Sequence, residues 1–121
     1  MQVKQIVEQF ELTACAGAAG LNREITGGHC GDLLSEVMGN APVGAIWLTV
    51  QGHQNIVAVA VLREMAAIII TGDNQPDDDT KTKADQEEIP LLLWPGTTYD
   101  LAGRLYTIGI VNTNGKTPGA D

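Results

Sequence analysis

Short apolar runs alternate with helix-length segments through the second half of the chain, and this alternation restricts the fold to one class. Residues 45–50, 67–71 and 89–94 are near-continuous aliphatic runs, the pattern of strands covered on both faces. Residues 55–65 and 77–88, and the segment from Thr97 to Ile108, follow them. Each is long enough to form the crossover that a parallel pair requires. Strand then helix, three times over, predicts an α/β fold with a mostly parallel central sheet flanked by helices. The Val-Ala-Val-Ala-Val order at 57–61 also fits strand alternation. Helix is preferred because the Ile-rich strand at 67–71 follows almost at once, and a crossover must lie between the two.

The caps agree with this reading. Three Asp at 77–79 suit the positive end of a helix dipole. Thr97 and Asp100 are spaced as a capping box, and Gly109 stands where a helix C-terminal glycine belongs. Leu101, Leu105 and Ile108 then form the inner face of the last helix.

The first half is less regular. Val3, Ile6, Val7 and Phe10 fall on one helical face. Residues 11–16 read as a strand closed by the small-residue turn 17–20. Residues 25–32 read as a second extended segment. Its glycines, Gly27, Gly28 and Gly31, imply a bulge or the close approach of another backbone or a ligand. Residues 33–38 read as a helix stopped by Gly39, Asn40 and Pro42. Residues 112–121 read as a loose tail.

With 121 residues the chain is one domain, and with 44% hydrophobic but only 4% aromatic residues its core must be aliphatic. Fifteen acidic against seven basic residues give a net charge of −8. That argues against nucleic acid, which needs a basic footprint, and against anionic membranes. No leader is recognisable at residues 1–10, and the apolar region 56–70 is broken by Arg63 and Glu64, so no membrane span is expected. Cys15 and Cys30 make no disulfide framework, and a cytoplasmic protein with reduced thiols is expected. The helix at 55–65 has few polar residues on any side. It is either buried on both sides or part of a subunit interface, and a homodimer is expected.

Most constellations that could carry chemistry fail on spacing. Gly115-Lys116-Thr117 lacks the earlier glycine of a P-loop, since Ile110 holds that position, and no helix follows. Cys15, His29, Cys30 and His53 match no zinc pattern, and the adjacent His29 and Cys30 point to opposite faces of a strand. Ser35 lies in a helical pattern and in no nucleophile elbow. Residues 77–79 have no calcium-loop spacing. No catalytic residue, metal or cofactor is therefore expected. What remains is the cluster from Asn22 to Gly28. Arg23 offers a planar fork of donors for phosphate or carboxylate. Thr26 adds a hydroxyl, and Gly27 and Gly28 let a backbone come close. A structural turn is the competing reading.

Arg23, Thr26, Gly27 and Gly28 stand where the DRTGG domain family has its naming residues, and in this the chain resembles that family. Segments 3–8, 32–35, 47–53, 66–70 and 101–106 also resemble it, so that the likeness extends over about residues 1–110. Asn22 replaces the family's Asp and loses its charge. The resemblance implies an α/β domain at 1–110, like the N-terminal domain of HPr kinase/phosphorylase, followed by a flexible tail at 111–121. It implies a regulatory or protein-interaction domain without catalysis, acting on an unidentified protein partner. DRTGG domains also occur between CBS domains in regulatory pyrophosphatases, whose regulatory region binds adenine nucleotides. The alternative reading is therefore a sensor that binds an adenine nucleotide or another anion at Arg23, Thr26, Gly27 and Gly28. His53 is a further candidate contact, because it falls at a strand's carboxyl end, where open α/β sheets bind ligands.

Overall fold

The computed structural model describes residues 1–112. Helix α1 (Val3–Gln9) leads into strand β1 (Thr13–Ala16), and a single 3-10 turn (Ala18–Gly20) follows. Then come β2 (Gly27–Cys30), α2 (Leu34–Asn40), β3 (Ala45–Thr49), α3 (Asn55–Leu62), β4 (Ala67–Thr71), α4 (Asp78–Glu87), β5 (Leu91–Trp94) and α5 (Thr98–Thr107). The sheet order is β1-β5-β4-β3-β2. Strands β2 to β5 are parallel in chain order, and β1 lies antiparallel on β5. The mostly parallel sheet is as expected, and β1 is its antiparallel edge.

Period-two alternation sorts the strand side chains into two cores. Ala45, Trp47, Ile68, Ile70 and Leu91 pack with Val37, Ile56, Ala60 and Ala84 of α2, α3 and α4. Ile46, Leu48, Ala67, Ile69 and Leu92 pack with Val3, Ile6, Leu101 and Leu105 of α1 and α5. All five residues of β3 and all five of β4 are buried, which is why both read as unbroken apolar runs.

The helix ends follow local chemistry. Thr97 Oγ1 accepts from the Asp100 backbone N–H at 3.2 Å, and Gly109 takes φ +100° beyond the last turn. Helix α3 ends at Leu62, three residues before the expected limit, because Glu64 adopts a left-handed backbone at φ 51°. Strand β1 starts late for the same reason, with Glu11 at φ 54°. Helix α2 runs through Gly39 and ends at Asn40, whose Nδ2 donates to Glu36 O at 3.1 Å. The register break lies in β1, between Ala14 and Ala16, and the glycine-rich β2 pairs regularly with β3.

Helix α3 lies between α2 and α4 and buries Ile56, Val57, Val59 and Ala60. Its outer side leaves Ala58, Val61 and Leu62 exposed, Leu62 by 69%. No helix among the described residues is long and apolar enough to cross a membrane.

Candidate functional site

Strands β1 and β2 are neighbours in sequence but occupy opposite edges of the sheet. The chain between them, 17–26, must therefore cross the whole width, and it does so past the N-terminal ends of the strands. Backbone bonds hold this crossing segment to the start of the chain. Lys4 N–H donates to Leu21 O at 2.9 Å, Val3 N–H to Arg23 O at 3.0 Å, and Ile25 N–H to Met1 O at 2.8 Å. At its start, Gly17 N–H donates to Asp85 Oδ1 at 2.7 Å. The motif residues lie along and beyond this crossing.

Arg23 turns toward the end of α4, where its Nε donates to Glu88 O at 3.3 Å. That is a favourable place for a cation, at the negative end of a helix. The same hollow is lined by Glu64 and Glu87, so an incoming anion would meet two carboxylates beside the guanidinium. Thr26 lies further along. Its Oγ1 donates to Val43 O at 2.6 Å and its N–H to Gly44 O at 2.9 Å. Gly44 adopts φ +79°, and a Cβ there would run into the Thr26 side chain.

Gly27 and Gly28 open β2, and what comes close to them is a side chain, neither the backbone nor the ligand that the glycines implied. Asn112 lays its carboxamide along Gly28. Gly28 N–H donates to Asn112 Oδ1 at 2.8 Å, and Asn112 Nδ2 donates to Gly28 O at 3.0 Å. A Cβ at Gly27 would strike that Oδ1. Asn112, expected in the loose tail, is thus fixed to the sheet. The rest of that tail, with Gly115, Lys116 and Thr117, lies outside the described residues.

His53 is not part of this group, which corrects its placement beside Arg23 and Thr26. It precedes α3 at the carboxyl end of β3, and its Nδ1 accepts from Asn55 N–H at 3.1 Å. Strand β3 separates it from Thr26, roughly 15 Å at 3.3 Å per residue. Thr26, Gly27 and Gly28 therefore lie together at the start of β2, Arg23 is turned elsewhere, and His53 is at the far end of the strands.

The carboxyl ends of the strands, where ligands of open α/β sheets usually sit, are tied by internal bonds. Asp32 accepts from Thr49 Oγ1 and from Val50 N–H, both at 2.9 Å. The Thr71 and Thr98 hydroxyls meet at 2.6 Å, and Gly72 N–H donates to Gly96 O at 2.8 Å. Neither Asp32 nor Asn112 stands out in the sequence. Only the glycine pair signals that something approaches β2, and it does not say what.

The thiols lie far apart. Cys15 is on β1 and Cys30 on β2, separated by four strand spacings, roughly 19 Å, well beyond disulfide reach. Burial pushes both thiols above their ordinary pKa, aided at Cys30 by the Asp32 carboxylate. At Cys15 the nearby Lys81 charge works against burial without overturning it, and at Cys30 burial and the Asp32 carboxylate act in the same direction. His29 Nε2 pairs with Glu36 Oε1 at 2.9 Å. Among the described residues no group of three His, Cys, Asp or Glu side chains could hold a metal ion.

No family model matches the chain, and no curated protein matches it. A solved structure does. The CBS and DRTGG domains of the regulatory region of Clostridium perfringens pyrophosphatase, complexed with the activator diadenosine tetraphosphate, superpose with a TM-score of 0.64 at 14% identity. The alignment covers 96% of this chain and 50% of that one, so the chain spans about half the length of that regulatory region. The resemblance to the DRTGG domain carried by Arg23, Thr26, Gly27 and Gly28 thus extends to architecture, and the chain has a DRTGG-like α/β fold.

Proposed function

We propose that this chain is a regulatory domain without catalytic chemistry of its own, working as a homodimer on a protein partner. The observation that carries the proposal is the likeness in fold to a regulatory region bound to an activator. The exposed apolar residues of α3, Val61 and Leu62, support the dimer, since burying them against a second copy removes an apolar patch from water. Light scattering at micromolar concentration should give twice the chain mass, and Leu62→Glu should give a monomer. A monomeric mass for the unaltered chain would remove the homodimer from the proposal.

A second reading, a small-ligand sensor, is favoured by the diadenosine tetraphosphate in the similar structure, with the exposed Arg23 guanidinium as the anion contact to be tested. Thermal unfolding with adenosine mono-, di- and triphosphates and diadenosine tetraphosphate tests it. A ligand at about 100 times its Kd adds roughly 2.7 kcal/mol, or about 4 °C or more in Tm. Arg23→Ala should abolish the shift and leave the Tm of the free protein within about 2 °C. If no nucleotide moves the Tm, the sensor reading fails and the protein-interaction domain stands.

A further inference from the structure

We propose that the outward-facing backbone of Gly28 is a reading edge for a planar amide or amidine group, such as the edge of adenine. In this state of the chain, Asn112 fills the edge as an internal stand-in. The inference deepens the sensor reading and rests on it for its biological use.

Among the described residues, strand β2 ends the sheet and is paired on one side only. Every second residue of such a strand turns its N–H and C=O away from the neighbour. Gly28 does so, and both groups are met by one side chain. The orientation of that carboxamide follows from its partners: a backbone N–H can only donate, and a carbonyl can only accept. The edge therefore reads an acceptor and a donor joined through one carbon and lying in one plane. A carboxamide has this pattern in Oδ1 and Nδ2. Adenine has it in N1 and its N6 amino group.

Space and surroundings suit a ring as well as an amide. Gly27 leaves room where a Cβ would strike the bound group. A hollow of about 140 Å³ lies alongside, between β2 and α5, with Leu48, Ala102, Leu105 and Ile110 in its walls and His29 and Cys30 also lining it. Mostly apolar walls with a few placed polar groups are the usual construction of a small-molecule site. A ligand must displace Asn112, so its apparent affinity is reduced by the fraction of molecules in which Asn112 is away. The glycine pair then serves two occupants, one built in and one external.

The test uses the full chain labelled with 15N, unaltered and as Asn112→Ala, titrated with adenosine and with benzamide. N6,N6-dimethyladenosine, which lacks the donor, is the control. Adenosine or benzamide should shift the Gly28 amide resonance and bind Asn112→Ala about tenfold or more tightly than the unaltered chain, while the control leaves Gly28 unmoved. Binding of adenosine alone assigns the site to a nucleobase, and of benzamide alone to a carboxamide. In the unaltered chain the Asn112 side-chain NH2 signals should move together with Gly28. If Asn112→Ala does not fold, that coupled movement decides. A Gly28 amide that responds to neither compound overturns the inference. Should diadenosine tetraphosphate raise the Tm through Arg23 while Gly28 and Asn112 stay silent, the sensor reading survives and this site does not.

Discussion

Trp47→Ala is expected to cost about 3–5 kcal/mol, a large part of the roughly 5–15 kcal/mol that holds a domain of this kind together. Trp47 is fully buried in β3, in one core with Val37, Ile56 and Ala60. Alanine would leave a cavity that the flanking strands and helices cannot close. The indole Nε1 also donates to Gly31 O at 2.9 Å, and that carbonyl would lose its partner. Urea unfolding should show a midpoint lowered with the slope unchanged. Trp47→Phe separates the two losses: it keeps most of the volume and forfeits the hydrogen bond, about 1 kcal/mol, plus part of the packing. A Trp47→Ala loss below about 1 kcal/mol would mean that the indole is not the packing centre described above.

Gly17→Ala should be at least as damaging, for a different reason. Gly17 has a left-handed backbone at φ +73°, and a Cβ there would run into the backbone of Ile89 and lie 2.7 Å from Pro90 N. Backbone cannot step aside as a flexible side chain can, so the crossing segment must lift away from the α4–β5 connection. A cost of about 3 kcal/mol or more is expected. Gly103 provides the contrast. It sits in α5, exposed, with open space where a Cβ would go. Gly103→Ala should stabilise by up to about 1 kcal/mol. Thermal unfolding of the pair should therefore move in opposite directions. A Gly17→Ala protein with an unchanged Tm would contradict the packing of the crossing segment against Ile89.

What could be read from the residues alone follows the range of the forces involved. Strand β4 falls at 67–71 as read, and β3 at 45–49 is one residue shorter than read, because burial on both faces writes an unbroken apolar run into the sequence. The N-cap of α5 at Thr97 and its end before Gly109 are equally legible, since capping acts within a few residues. Nothing local shows that β1 turns antiparallel on β5, or that Glu11 and Glu64 take left-handed backbones. Ile89 is buried but precedes its strand, and an apolar residue looks the same in either place. At the motif, the glycines imply a bulge or the approach of a backbone or a ligand, and the structure shows a side chain instead. The approaching group, Asn112, lies 84 positions away, and no spacing rule reaches that far. Arg23 and His53 looked like partners for Thr26 because chain proximity and strand-end logic both placed them there. The turn of Arg23 toward Glu88 depends on where α4 ends in space.

The strand order also governs how this sheet can be completed as the chain is made. Each of β2, β3 and β4 gains its next neighbour one crossover later, so the parallel strands can assemble as they arrive. Strand β1 cannot. Its partner β5 is the last strand among the described residues, so β1 must wait, unpaired, until the four parallel strands have been made. The segment that waits is short and only mildly apolar, Thr13-Ala14-Cys15-Ala16, and offers little for a stray strand to recognise. The long aliphatic strands, which would be the hazard, are the ones that never have to wait.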